Sequence, residues 1–161
     1  MSAKDILIEQ HNACYDENNW FVAIKNALAG LTAEQAKWKP DGADNTIWEE
    51  VNHLIAWNEI WLRRYRGELD FFDDYVNVDT FTTGHGDWQA TCEYLFKLMD
   101  EWRKVLTDIT EDKLTSILHE KRPSPWYSPI AQQNIHNAYH TGQIVLLRKL
   151  QGSWDASKGV S

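Results

Sequence analysis

The sequence predicts an all-α fold, a four-helix bundle. Apolar residues recur at helical spacing over four long stretches, no alternating stretch competes with them for long, and polar segments bearing Gly or Pro separate them. At 161 residues the chain is the size of one domain, so 1–161 is read as a single unit with one core.

The first helix is expected from about Ala3 to Ala29, with Leu7, Cys14, Phe21 and Leu28 at seven-residue spacing, Trp20 and Ile24 widening the stripe, and Gly30 as its stop. The connection LTAEQAKWKPDGADN is rich in turn residues and offers Trp38 as its one large apolar anchor. Thr46 and Glu49 form a capping box, each side chain satisfying a backbone donor of the other, that opens a second helix reaching about Arg66 before Gly67. Its residues Val51, Leu54, Ile55, Leu62 and Tyr65 make one stripe, while His53, Trp57 and Ile60 make another nearly opposite. Such a helix is buried between neighbours or lines a pocket with its second face.

Residues 67–86 are too acidic and irregular for a helix, with extended structure or a turn expected around Tyr75 to Phe81. Asp87 reads as the N-cap of a third helix through about Asp108, with a stripe of Trp88, Leu95, Leu98, Met99, Trp102, Val105 and Leu106. In 109–129 one helical turn is expected at Glu111 to Ile117, and Pro123, Pro125 and Pro129 argue against a continuous helix. The fourth helix is expected from near Ile130 to near Gln151, followed by a tail that frays after Trp154. Connections of roughly 15–20 residues exceed the usual 2–8 between antiparallel neighbours, which suggests a crossover between parallel helices.

Composition narrows the function. Sixteen Lys and Arg against 24 Asp and Glu give a formal charge of −8, which repels phosphate backbones and anionic lipid. Nucleic acid and membrane are therefore not expected as partners. Cys14 and Cys92 form no CxxC, and no apolar run approaches the ~18 residues of a membrane span. A reduced, cytoplasmic setting fits these features. Nine tryptophans are unusual: Trp20, Trp88 and Trp102 fall on or beside core stripes, whereas Trp48, Trp57 and Trp126 are candidates for walling a substrate space.

The chemistry concentrates in His136-Asn-Ala-Tyr-His140 on the fourth helix. A spacing of four places two imidazoles one turn and about 40° apart, so both can face one ion. By the same arithmetic Gln132, Gln133, Tyr139, Gln143, Leu147 and Leu150 lie within about 60° of them. Paired histidines on a helix are often only packed and hydrogen-bonded. The third histidine, His53, on another two-faced helix with Trp57 one turn on, tilts the balance toward a metal, because three buried imidazoles without an ion leave polar atoms unsatisfied.

The runs NTIWEEVNHLIAWNEIWLRR and HNAYHTGQIVLLRKLQGSW, with LTAEQAKWKPDGADN before them, resemble the DinB/YfiT-like superfamily of metal-dependent enzymes over essentially the whole chain. The resemblance implies an up-down-down-up bundle and a divalent ion held by His53, His136 and His140: zinc or nickel first, iron or manganese as alternatives. It also implies a small-molecule substrate, with a low-molecular-weight thiol in view, and a homodimer. In characterised relatives the comparable site serves S-transfer with bacillithiol or mycothiol and a maleylpyruvate isomerisation. Three protein ligands leave a position open, as in catalytic rather than structural zinc sites. The expectation is thus a metal-dependent enzyme of thiol S-transferase or hydrolase type, and the alternative is a non-catalytic metal-binding or stress-response bundle.

Glu50 is the one candidate catalytic carboxylate, as base or outer ligand, against the plain reading of a solvated acid in the first turn of its helix. Glu50-Val-Asn-His53 also resembles half of a di-iron site, but Gln133 stands where the second carboxylate should be. Trp57, Tyr139, Gln143 and His11 are the candidate pocket residues, although His11 reads equally as a buried, hydrogen-bonded imidazole. His85 and His119 read as surface.

Overall fold

The computed structural model describes residues 2–71 and 80–158. Four long helices form the bundle: α1 (Ala3–Tyr15), α4 (Ile47–Tyr65), α5 (Trp88–Asp108) and α7 (Tyr127–Leu150). Three short helices decorate it, α2 (Ile24–Leu28), α3 (Ala33–Lys37) and α6 (Glu111–Thr115), and a small antiparallel hairpin pairs β1 (Ile117–His119) with β2 (Arg122–Pro125).

Side-chain bonds fix the helix directions. His11 meets the Met99 carbonyl and Tyr15 the Phe96 carbonyl, so α1 and α5 are antiparallel. Trp48 packs on Trp88, Tyr94 bonds Glu59 and Arg66 bonds Glu101, so α4 and α5 are parallel. Glu50 meets His140 and His53 meets His136, so α4 and α7 are antiparallel. The order is therefore up-down-down-up. Parallel α4 and α5 require the chain to travel back the length of a helix, which accounts for the long segment between Tyr65 and Trp88.

The first helix is shorter than its seven-residue spacing suggests. It stops at Tyr15, because Asp16-Glu17-Asn18-Asn19 offers side chains that compete for backbone groups: the Asn18 carbonyl oxygen accepts from the Ala23 amide at 3.0 Å and from Asn26 Nδ2 at 2.9 Å. The spacing survives the break because Leu28 reaches the core from α2, but Trp20 falls in the new loop and is 92% exposed instead of packed. The next connection contains α3, opened by a Thr32/Gln35 capping box, and its anchors are Leu31 and Ala36; Trp38 lies at the edge.

The second and third helices match their expected bounds closely. The Thr46/Glu49 capping box closes in both directions, at 3.2 and 2.6 Å, and Gly67 takes the positive φ of 73° that ends the helix. Asp87 caps α5 through the Ala90 amide at 2.9 Å. Six of the seven stripe residues of α5 are buried and Val105 is partly so. The fourth helix starts three residues earlier than the prolines suggest, since Pro129 falls in its first turn, where the missing N–H costs nothing. The hairpin was not expected, as two Pro residues mark β2, and the tail ends in a 3-10 turn at Ala156–Lys158. Of the structure expected around Tyr75 to Phe81, residues 72–79 lie outside the described residues, while Thr80 and Phe81 form a turn against α4.

Candidate metal centre

Antiparallel α4 and α7 bring His53, one and a half turns into its helix, opposite His136 and His140. The Nε2 atoms converge: His136 to His140 is 3.0 Å and His136 to His53 is 3.2 Å. These are the three residues among those described whose ligand atoms cluster as a metal would require. Two nitrogens each about 2.1 Å from one ion stand about 3.0 Å apart at a right angle and about 3.4 Å apart at the tetrahedral angle, so the observed spacings suit one ion.

The hydrogen bonds behind the imidazoles fix what faces inward. Glu50 is 3% exposed, and its Oε2 lies 2.5 Å from His140 Nδ1. A carboxylate only accepts, so Nδ1 carries the proton and Nε2 presents a lone pair. Thr80 Oγ1 lies 2.6 Å from His53 Nδ1, and the Phe81 ring stacks on the same imidazole at 4.1 Å and 8°. His136 Nε2 can give at most one proton to two facing nitrogens, and its Nδ1 is buried without a partner among the described residues. As bare protein the cluster is short of hydrogen bonds; a cation would satisfy the converging lone pairs. Burial, then the neighbouring His140 and His136, lowers the His53 pKa to about 4, and burial followed by His140 lowers His136 to about 4. At neutral pH these two imidazoles are therefore neutral, the form that binds metal.

Glu50 is thus not the solvated first-turn acid of the plain reading. Gln143, with its amide nitrogen turned toward Glu50, donates to both carboxylate oxygens at 2.9 and 3.1 Å while its carbonyl accepts from the Tyr139 hydroxyl at 2.9 Å. Tyr139, Gln143, Glu50 and His140 form one chain of contacts from the surface inward. We expect Glu50→Gln to weaken divalent-metal affinity by roughly 10–100-fold with little change in fold, read by competition with a chromophoric chelator.

Beside His136 opens a cleft of about 560 Å³, walled by Trp57 and Trp61 of α4 and by Gln132, Ile135 and Tyr139 of α7. Of the candidate pocket residues Trp57 and Tyr139 line this cleft, and Trp61 joins them. Trp48 and Trp126 do not line it: Trp48 packs at a tilt on Trp88, and Trp126 is buried against Tyr65 and Phe71. Gln132, Tyr139 and Leu150 are exposed, so the buried face of α7 is centred on Gln133, Asn137, His140 and Ile144 rather than spread evenly about the histidines.

His11 lies away from the cleft. Its Nε2 is 2.9 Å from the Met99 carbonyl in the α1–α5 interface, and burial pushes its pKa down to about 4. The unfolded chain takes up a proton near the ordinary value of 6.5 and the folded chain does not until about 4, so this histidine contributes stability above pH 6.5 that is lost as pH falls toward 4. Between pH 7 and 4.5 the loss is about 2–3 kcal/mol. Urea titrations at the two pH values should show His11→Gln losing that much less than the parent; an equal loss in both would remove His11 from the account.

Thr80 and Phe81 are residues that periodicity does not reveal, since they sit in a turn. A sequence model described as the DinB superfamily matches residues 22–144. No curated protein matches the chain. A crystal structure of a conserved protein from Enterococcus faecalis superposes with a TM-score of 0.67 at 14% identity, covering 92% of this chain and 94% of that one, which bears on the fold alone.

Proposed function

The chain belongs to the DinB superfamily, and from that membership we propose that it is a metal-dependent enzyme of thiol S-transferase or hydrolase type. The observation that carries the proposal is the convergence of three Nε2 atoms backed by the Glu50–His140 bond. His53, His136 and His140 would hold the ion, with zinc or nickel the best matched to three neutral imidazoles. Held there, a divalent ion supplies positive charge and an open position that lower the pKa of a water or thiol nucleophile.

The protein's own residues do the rest. Glu50 orients His140 and is itself held by Gln143, so its carboxylate is committed to the ligand and is not free to act as a base on substrate. Thr80 fixes the His53 ring and Phe81 shields one face of it. Trp57, Trp61 and Tyr139 offer apolar walls that exclude water from a substrate beside His136. The protein would act on small molecules in the cytoplasm.

The test pairs bacillithiol with monochlorobimane and measures thioether formation with zinc or nickel present. Sulfur bonds to the bimane carbon, chloride leaves and the thiol proton goes to solvent. Turnover lost in His53→Ala, with unchanged circular dichroism, supports S-transfer. Stoichiometric metal without turnover of this or an ester substrate supports the non-catalytic metal-binding reading, favoured by the lack of a free base beside the histidines among the described residues.

A further inference from the structure

The cleft beside His136 holds one polar group that the metal centre does not use. Gln133 lies one turn before His136, about 4.5 Å along the axis of α7. It is 7% exposed, and it lines the cleft. A chain of bonds fixes which end of its amide faces that space. Asn58 donates to the Leu54 carbonyl at 2.8 Å, a backbone oxygen that only accepts, so the atom it turns there is Nδ2. The same nitrogen donates at 2.9 Å to Asn137, whose facing atom is therefore Oδ1. Gln133 meets that oxygen at 3.2 Å and must do so with Nε2. Its carbonyl oxygen, Oε1, is left over: it has no partner among the described residues and is not sealed from solvent, so it opens on the cleft. Where a di-iron bundle would place its second carboxylate, this chain presents an uncharged acceptor.

The walls around this acceptor are aromatic and already held in place. Trp57 stands edge-on to the His53 imidazole, the ring centres 6.3 Å apart at 75°. Trp61 packs on Phe71 at 6.2 Å, with the Arg64 guanidinium 5.0 Å from its ring centre. Tyr139 stands edge-on to His140 at 5.1 Å, its hydroxyl donated to Gln143. Rings fixed before a ligand arrives give up little entropy when it binds. No Lys, Arg, Asp or Glu lines the cleft among the described residues. An anion bound here would lose its water, gain no ion partner and enter a chain of net charge −8. A cation would compete with the guanidinium that already lies over Trp61.

We propose that the cleft is a subsite for an uncharged aromatic molecule bearing an N–H or O–H donor, its ring against Trp57 and Trp61 and its donor on Gln133 Oε1. A volume of about 560 Å³ is that of a small-molecule pocket, enough for one or two fused rings with a short substituent. The walls select the ring, and the acceptor selects the substituent. A donor pairs with Oε1, whereas an ester or ether strips that oxygen of water and gives it nothing in return. The role of this molecule rests on the S-transferase reading: it is the acceptor of the thiol. Sulfur then bonds to a carbon beside the ring, the leaving group departs with the bonding pair and the thiol proton goes to solvent. The binding itself needs only the cleft and stands apart from that reading.

The test titrates the full chain in EDTA with para-fluorobenzamide, its methyl ester and carboxylate counterparts and para-fluorobenzylammonium, with fluorine NMR reporting the bound fraction. The amide should bind saturably with a dissociation constant on the order of 1 mM. The carboxylate and the ammonium should bind at least about tenfold more weakly. Trp61→Ala should weaken the amide about tenfold. Gln133→Leu, with Gln133→Met as a second arm that keeps the length, should lower the ratio of amide to ester affinity about fivefold while ester affinity stays within about twofold. A merely structural role for Gln133 would not move that ratio, since a loosened cleft weakens both ligands. A charged ligand bound as tightly as the amide, a ratio unmoved in both Gln133 variants, or no saturable binding overturns the inference and leaves the three-histidine site as it stands. Saturable binding of the amide, with no thioether formed from bacillithiol and para-(chloromethyl)benzamide in the presence of zinc, upholds the subsite and counts against S-transfer alone.

Discussion

His140→Ala removes stoichiometric divalent metal. Its Nε2 lies 3.0 Å from His136 Nε2, and among the described residues it is the one imidazole of the three whose Nδ1 donates to a carboxylate, so its Nε2 is the strongest donor. Structural zinc sites bind with apparent energies of at least ~10 kcal/mol; shared among three imidazoles this is about 3 kcal/mol each, on the order of a hundredfold or more in affinity. The substitution also leaves Glu50 buried without its partner imidazole, held only by Gln143. Elemental analysis after loading and dialysis should find one ion per chain in the parent and well under a tenth of that in His140→Ala. His140→Gln gives a second arm, because it keeps a polar side chain facing Glu50 while lacking the imidazole donor. Equal metal content in parent and both variants would end the three-histidine site.

The histidines were legible because a metal site on helices obeys helical arithmetic: His136 and His140 are a turn apart, and His53 lies on a helix with a second stripe. The capping residues Thr46 and Asp87 were legible for a similar reason, since each acts within three residues of itself. What escaped was chemistry set by tertiary contact. The acid Glu50 looks like any first-turn carboxylate until α7 lays His140 against it. Thr80 and Phe81 have no periodicity to betray them, and the break after Tyr15 was hidden by a seven-residue spacing that continues across it. Tyr139 and Leu150 of α7 had the opposite fate: they were grouped with the inward face of the histidines yet are 63% and 57% exposed, because periodicity reports apolar positions without saying which are covered.

A second large effect belongs to two asparagines that no stripe predicts. Asn58 and Asn137 are 0% and 2% exposed and face each other across α4 and α7, Asn137 next to His136 in the chain and Asn58 five residues after His53. Asn58 Nδ2 donates to Asn137 Oδ1 at 2.9 Å, Asn137 Nδ2 returns to Asn58 Oδ1 at 3.3 Å, and Gln133 adds a bond to Asn137 Oδ1 at 3.2 Å. Trp102 of α5 donates to the Asn58 carbonyl at 3.0 Å, so three helices meet at this point. Removing either amide costs the other its side-chain partner in the core: Asn58 keeps its Leu54 carbonyl bond but loses the partner of Oδ1, and Asn137 keeps Gln133 but is left with Met99 Sδ for Nδ2, at about 1–3 kcal/mol for each poorly satisfied group, and a small cavity is added. Asn58→Ala and Asn137→Ala should therefore each cost about 4 kcal/mol in urea unfolding of the metal-free chain. The double variant should cost less than the sum of the two, because the second truncation removes a group that has already lost its side-chain partner, giving a coupling of about 2 kcal/mol. Additive costs would mean that the two amides act separately. The pair sets the register of α4 against α7, and with it the spacing of His53 from His136. In Asn58→Ala at a temperature where the chain stays folded, metal affinity should fall about tenfold, since a shift of a few tenths of an ångström spoils the convergence of the three nitrogens.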